Sequence, residues 1–84
     1  MSVKLIGRHI VIDSEICHGK PTFRGTRIMV SQVLEMVASG MAWRTIIEQY
    51  HGSLTKEAIA EAVSLAGKVF SEHAQEYTLE PTSP

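Results

Sequence analysis

The chain has 84 residues and a formal net charge of −1, which is enough for one small domain. Its 44% hydrophobic and 20% charged residues are typical of a globular protein and not of a disordered one. No segment approaches the ~20 apolar residues of a membrane helix, no N-terminal run predicts a signal peptide, and Cys17 is the only cysteine. We therefore expect a soluble cytoplasmic protein without an intrachain disulfide.

The charges are unevenly distributed along the chain. Residues 1–44 carry six basic residues against three acidic ones, whereas residues 45–84 carry two against six. If the two halves form different faces, one suits an anion and the other a basic partner. The alternative is that these are ordinary solvated surface charges.

The first elements are predicted to be β-structure. Residues 9–13, His-Ile-Val-Ile-Asp, are short and β-branched and predict a strand. Residues 14–28 have no helical period. They predict an extended segment over 21–24, a turn at Gly25 and a second extended segment over 26–28.

Three helices follow, each with one apolar stripe at i, i+3, i+4 spacing. The first ends at Gly40, and the third has Thr55 as its N-cap and runs to about His73. The stripes consist of Val30, Val33, Leu34 and Val37; of Trp43, Ile46, Ile47 and Tyr50; and of Ile59, Ala62, Val63, Ala66 and Phe70. Such stripes can be buried only against one another. We expect a mainly α, trihelical domain with a short N-terminal β element over residues 1–74, and a flexible tail over 75–84.

Two short motifs suggest a phosphate-binding loop and a catalytic or metal site, but neither has the required pattern of residues. Gly19-Lys20 lacks the earlier glycine and the following Ser or Thr of a phosphate-binding P-loop, and Pro21 removes a backbone donor. Cys17-His18 has no second pair to complete a metal site, and adjacent residues on an extended backbone point to opposite sides. We expect no catalytic residue, no metal and no cofactor.

The second and third helices have the spacing of a helix-turn-helix, with Gly52 in the turn. In this motif the N-terminal residues of the third helix reach base edges. Thr55, Lys56 and Ala60 are therefore candidate DNA contacts, and Arg44, near the start of the second helix, is a candidate phosphate contact.

An alternative is a trihelical bundle that binds no nucleic acid. Glu57 and Glu61 lie on the same third helix. Unpaired carboxylates beside phosphates lower the affinity for DNA.

The stretch ICHGKPTFRGTRIMVSQVLEMVASGMAWRTIIEQYHGSLTKEAIAEAV resembles a small prokaryotic family, domain of unknown function 433. The shared pattern, over roughly residues 9–66, is a GKP.I.GTRI segment, a helix ending in glycine, a short helix ending near tyrosine and an LT.E.I..A third helix. The chain departs from it at His18, where the family tends to have glycine, and at Ala42, where a Ser or Thr usually caps the second helix.

The resemblance implies a homeodomain-like or winged helix-turn-helix similar to VapB-type antitoxins, which are often paired with a PIN-like nuclease toxin. We therefore expect an antitoxin-like homodimer that binds operator DNA, represses its own promoter and neutralises the toxin. Its candidate DNA contacts are Arg24, Arg27, Arg44, Thr55 and Lys56. Its candidate toxin contacts, in the acidic C-terminal half, are Tyr77 and Leu79. The alternative is an interaction module or structural dimer that does not bind DNA.

Overall fold

The computed structural model describes residues 3–78, which form a mainly α domain with a short N-terminal sheet, as expected. The strands are β1 (Val3–Ile6), β2 (Ile10–Asp13) and β3 (Thr22–Phe23), and the helices are α1 (Val30–Ala38), α2 (Trp43–Gln49) and α3 (Lys56–Glu72). Two short 3-10 turns span Cys17–Gly19 and Ala74–Tyr77.

The three strands form one antiparallel sheet in the order β1-β2-β3. Ile6 pairs with Ile10 across the first turn, and Ile10 in turn pairs with Phe23. Paired residues share a face of the sheet, so these three side chains face the helices together. The sequence predicts β2 and, within the extended segment over 21–24, β3. It does not predict β1, the partner strand that makes the hairpin.

The segment over residues 21–28 folds nearly as predicted. The turn at Gly25 is closed by the Thr26 N–H, which donates to the Phe23 carbonyl at 3.0 Å, and by the Phe23 N–H, which donates to the Ile28 carbonyl at 3.0 Å. The extended parts are shorter than expected. β3 has two residues, and the return segment makes one isolated bridge, between Thr22 and Met29.

All three predicted helices are present, and their ends follow local signals. The α1 helix ends just before Gly40, whose φ of +91° is a left-handed conformation that favours glycine. Ala42 is the N-cap of α2 and makes no side-chain cap, as its departure from the family pattern predicts. The C-cap of α3 is His73.

The core lies where the sheet and the first half of α3 meet α1 and α2. Its fully buried large side chains come from β3, α1, α2, the α2–α3 connection and α3: Phe23, Val33, Ile46, Leu54 and Ile59. Burial of one such side chain contributes about 1.5–3 kcal/mol.

The predicted stripe of α3 is only half correct. Ile59 and Ala62 are buried, but Ala66 is exposed and Phe70 keeps 60% of its surface accessible. The reason is length. The 17 residues of α3 extend over ~25 Å, whereas the nine of α1 cover ~14 Å, so the last turns of α3 extend beyond the other helices.

Part of the segment predicted as a tail is described. Residues 74–77 form a 3-10 turn, and the ring of Tyr77 lies against that of Phe70 with centroids 6.0 Å apart. Residues 79–84 lie outside the described part. Within residues 3–78, none of the helices has the length and apolar character needed to cross a membrane.

Candidate nucleic-acid interface

The N-terminus of α3 is built by Thr55. Its extended backbone (φ −107°, ψ 161°) and its Oγ1, which accepts from the Ala58 N–H at 3.1 Å, confirm the predicted N-cap. The hydroxyl oxygen therefore serves the helix itself, while its O–H is left as a donor. The other N–H groups of the first turn give this end of α3 a partial positive charge.

A small hollow of about 160 Å³ brings Arg24 to this helix end. It is lined by Arg24 and Thr55 together with Ser53, Leu54 and neighbouring residues of β3 and α3. The Arg24 N–H donates to the His9 carbonyl at 2.8 Å, which fixes the backbone just after β3. Two of the five candidate DNA contacts, far apart in sequence, thus share one site.

Arg27 lies on the other side of the same loop. With Arg24 it lines a second hollow of about 510 Å³, which lies over Val3, Leu5 and Val11 on the outer face of the sheet. The two arginines therefore flank the turn at Gly25; Arg24 lines both hollows, and Arg27 lines the one over the sheet.

The remaining two candidates, Arg44 and Lys56, are both exposed. Lys56 is the first residue of α3 and adjoins the Arg24 hollow through Thr55. Arg44 is in the first turn of α2, and none of the side-chain contacts found in residues 3–78 links it to the hollow.

These cations have no carboxylate partner in the described part of the chain. Both ion pairs found over residues 3–78 involve a histidine, so Arg24, Arg27, Arg44 and Lys56 lie more than 4.0 Å from any carboxylate there. Their charge is thus available to an anion in solution.

Glu61 corrects the expectation of two free carboxylates on α3. Its Oε2 accepts from the Arg8 N–H at 2.8 Å, and its Oε1 accepts from the His9 N–H at 2.6 Å and lies 3.2 Å from His9 Nδ1. The backbone N–H groups of Arg8 and His9 lower the pKa of Glu61 from its ordinary value of 4.5. Glu61 is a bound, ionised anchor for the β1–β2 turn, whereas Glu57 is exposed.

Gly7 makes this contact possible. A Cβ at Gly7 would lie 2.6 Å from Glu61 Oε2, and the φ of +79° is in the left-handed region. A side chain at this position would displace the Glu61 carboxylate and strain the turn, so glycine is favoured here.

A family model described as "Protein of unknown function (DUF433)" matches residues 10–66. The chain belongs to this family. The matched segment includes the five candidate DNA contacts and ends within α3, so β1 and the last turns of α3 lie outside it. Comparison with curated proteins and with solved structures found no match.

Within this DUF433 chain, the Cys17-His18 pair is not on an extended backbone as predicted. Cys17 and His18 have φ of 52° and 57°, and they begin a left-handed 3-10 turn. The Cys17 thiol donates to the Arg27 carbonyl at 3.5 Å, so the pair serves to hold the turn. His18 has a left-handed φ, a conformation that favours glycine. No three His, Cys, Asp or Glu side chains in residues 3–78 are grouped to share a metal.

The sequence analysis misses Arg8 and His9. They form the β1–β2 turn, which Glu61 attaches to α3. A signal is present in the sequence, because Gly7-Arg8-His9 separates two short apolar segments, Val-Lys-Leu-Ile and Ile-Val-Ile-Asp.

Of the two candidate toxin contacts, Tyr77 is 62% exposed and packs against Phe70. Leu79 lies outside the described residues.

Proposed function

We propose that this DUF433 chain is an antitoxin-like DNA-binding protein of a type II toxin–antitoxin module. It binds operator DNA as a homodimer, represses its own promoter and neutralises a PIN-like nuclease toxin. The observation that carries the DNA-binding part is the convergence of Arg24 and Thr55 on one hollow at the N-terminus of α3. A cation beside a helix N-terminus is a favourable site for a phosphate.

The helix pair α2–α3 supports a helix-turn-helix function. The first turn of α3, with Lys56, enters the major groove, and Arg44 on α2 contacts the backbone. The connection over residues 50–55 is longer than the 3–4 residues common in this motif. Leu54, 1% exposed, packs that connection into the core and so gives the two helices a fixed angle.

The β1–β2 turn takes the role of a wing in this proposal. Glu61 holds the turn against α3 through two backbone N–H groups, which places the exposed Arg8 beside the proposed recognition helix. In this proposal the domain is a winged helix-turn-helix, and its wing, the β1–β2 hairpin, precedes the helices in sequence.

The carboxylates of α3 weigh less against DNA binding than the sequence suggests. Glu61 has its charge compensated by three hydrogen-bonding groups and lies against the hairpin. Glu57 alone is exposed in the first turn, where it stabilises the helix dipole but repels phosphate.

The toxin contact is assigned to the acidic C-terminal part of the chain. Residues 45–84 carry two basic and six acidic residues, and Tyr77 offers an exposed aromatic ring there, with Leu79 two residues further on. A basic surface with an apolar pocket on the nuclease complements these features.

Retardation of a fragment of the chain's own promoter tests the DNA-binding part. The full chain is expected to bind at low salt, with an affinity that falls steeply as salt is raised because phosphate contacts release counterions. An unrelated fragment of equal length is the control and is expected to bind more weakly. For the toxin part, a nuclease encoded beside the gene is expected to lose activity when mixed with the chain.

The rival function is a protein interaction module that binds no DNA, which the net charge of −1 and the exposed Glu57 favour. It predicts no retardation at any salt concentration. That result, with the protein folded by circular dichroism, would remove the DNA-binding role.

A further inference from the structure

The last turns of α3 form one wall of an apolar groove. The groove has a volume of about 390 Å³ and lies between α3 and the surface made by β1, β2, Pro21 and α1. Apolar side chains make up nearly all of its lining. On the α3 side these are Ala62, Leu65, Ala66, Val69 and Phe70, continued by Tyr77.

Several of these side chains are substantially exposed. Val69 is 47% exposed, Phe70 60% and Tyr77 62%, and they are adjacent on one surface. A contiguous apolar patch of this kind marks an interaction surface. The same stripe of α3 is buried in its first half, whereas no element within residues 3–78 covers its second half.

We propose that a second copy of this chain occupies the groove. The last turns of the two α3 helices pack antiparallel about a two-fold axis near Val69 and Phe70. This interface gives a location to the homodimer of the proposed function, but it rests on the groove alone and does not require DNA binding.

The shape of the patch suits self-association. A two-fold interface uses the same surface on both copies, so that surface must hold both a projection and a recess. Here the exposed Phe70 ring borders the recess of its own copy and can enter the recess of the other copy. Ala66, which lines the groove, adds little bulk near the crossing point and lets the two helices approach closely.

The charges beside the stripe are also self-complementary. Lys68 and Glu72 are one turn apart on the same side of α3, and both are exposed. In an antiparallel pair of helices centred near Phe70, Lys68 of one copy lies opposite Glu72 of the other. The two-fold axis produces two such pairs. A patch that carries both signs in this order matches a second copy better than a partner of one charge.

The size of the groove predicts a dimer of moderate stability. Eleven residues line it, whereas a standard interface uses about 20–30 residues on each side. The dimer is therefore expected to dissociate on dilution.

Sedimentation of the full chain over a range of concentrations, without DNA, tests the inference. Twice the monomer mass of 9.3 kDa is expected at high concentration and the monomer mass on dilution. Phe70→Glu is expected to raise the dissociation constant at least about tenfold, because it places a charge at the centre of the interface. Since Phe70 is mostly exposed, the variant should keep the circular dichroism spectrum of the wild type.

Two further variants sharpen the result. Leu5→Glu changes an equally exposed apolar residue on the outer face of the sheet and is the matched control, with the dissociation constant unchanged. Lys68→Glu and Glu72→Lys are each expected to weaken the dimer, and the double variant to restore it.

A monomer at every concentration would overturn the inference and leave the groove to a different protein. A dimer that Leu5→Glu disrupts and Phe70→Glu does not would also overturn it, and would move the interface to the sheet. Because mass is measured without DNA, a dimer that fails to bind the promoter counts only against the proposed function. A monomer that binds DNA counts only against this interface.

Discussion

Among single residues, Glu61 has the largest structural role outside the core. Its carboxylate accepts hydrogen bonds from two backbone N–H groups of the β1–β2 turn. Hydrogen bonds to a charged group contribute about 1.5–3 kcal/mol, so we expect Glu61→Gln to lower the free energy of unfolding by about 1–3 kcal/mol near neutral pH. Denaturant unfolding measures this loss. Glu35→Gln, at an exposed carboxylate of α1, is the control and should change little.

The same contact makes stability depend on pH. The folded-state pKa of Glu61 is lowered by the Arg8 and His9 N–H groups, so its stabilisation is fully present above the unfolded value of 4.5. It is lost as the pH falls below that value, through the folded-state pKa. Glu61→Gln should unfold with a weaker dependence on pH in this acid range. Parallel curves for the variant and the wild type would show that the carboxylate is not an anchor.

Thr22 presents the opposite case, a buried polar group without a partner. It is 0% exposed, and within residues 3–78 its Oγ1 makes no hydrogen bond. Replacing an unsatisfied hydroxyl with a methyl group removes a desolvation cost, so Thr22→Val should raise the free energy of unfolding by about 1 kcal/mol. Thr26→Val is the matched comparison and should lower it, because the Thr26 hydroxyl bonds both Phe23 and Ile28. A loss of stability in Thr22→Val would contradict this explanation.

The residue scale also shows what the sequence can predict. The Thr55 cap was predictable because its partner, Ala58, is three residues away and the pattern is local. The Glu61 anchor was not, because its partners lie 52 and 53 residues earlier and nothing in the α3 pattern indicates them.

At the scale of elements, α2 begins without a side-chain cap. Ala42 has the extended backbone of an N-cap (φ −66°, ψ 143°) but no side-chain oxygen to accept from the first turn. Ala42→Ser should therefore raise the free energy of unfolding by about 1 kcal/mol. In urea unfolding this appears as a higher midpoint, with an unchanged slope of free energy against urea concentration. Ala38→Ser, at the exposed end of α1, offers no free N–H to cap and should not stabilise. Equal effects of the two substitutions would contradict the capping explanation.

The helices were predicted well because their stripes, caps and terminal glycines are all local signals. The sheet was predicted less completely. β1 has only four residues and exposes Val3 and Leu5, so its short apolar segment is a weak signal until its pairing with β2 is seen. The exposure of Phe70 was not predictable either, since the period of a stripe does not tell how much of it the neighbouring helices can cover.

At the scale of the whole molecule, the two proposals concern two distinct surfaces. One surrounds the N-terminus of α3, where the loop after β3 contributes Arg24, and the other is the apolar groove along its last turns. The 17-residue α3 links them, and its first half is anchored in the core. A dimer joined through the last turns would keep both α3 N-termini free, which suits a protein that reads two half-sites.

The central claim is that the N-terminus of α3 binds phosphate with the help of Arg24. The most direct test is the salt dependence of binding to a fragment of the chain's own promoter, measured for the wild type, Arg24→Ala and Lys4→Ala. Lys4 lies on β1 and does not line the Arg24 hollow. The account predicts that Arg24→Ala weakens binding and reduces the slope of log affinity against log salt by about 1, while Lys4→Ala keeps the wild-type slope. An Arg24→Ala variant with the wild-type slope and affinity would contradict it.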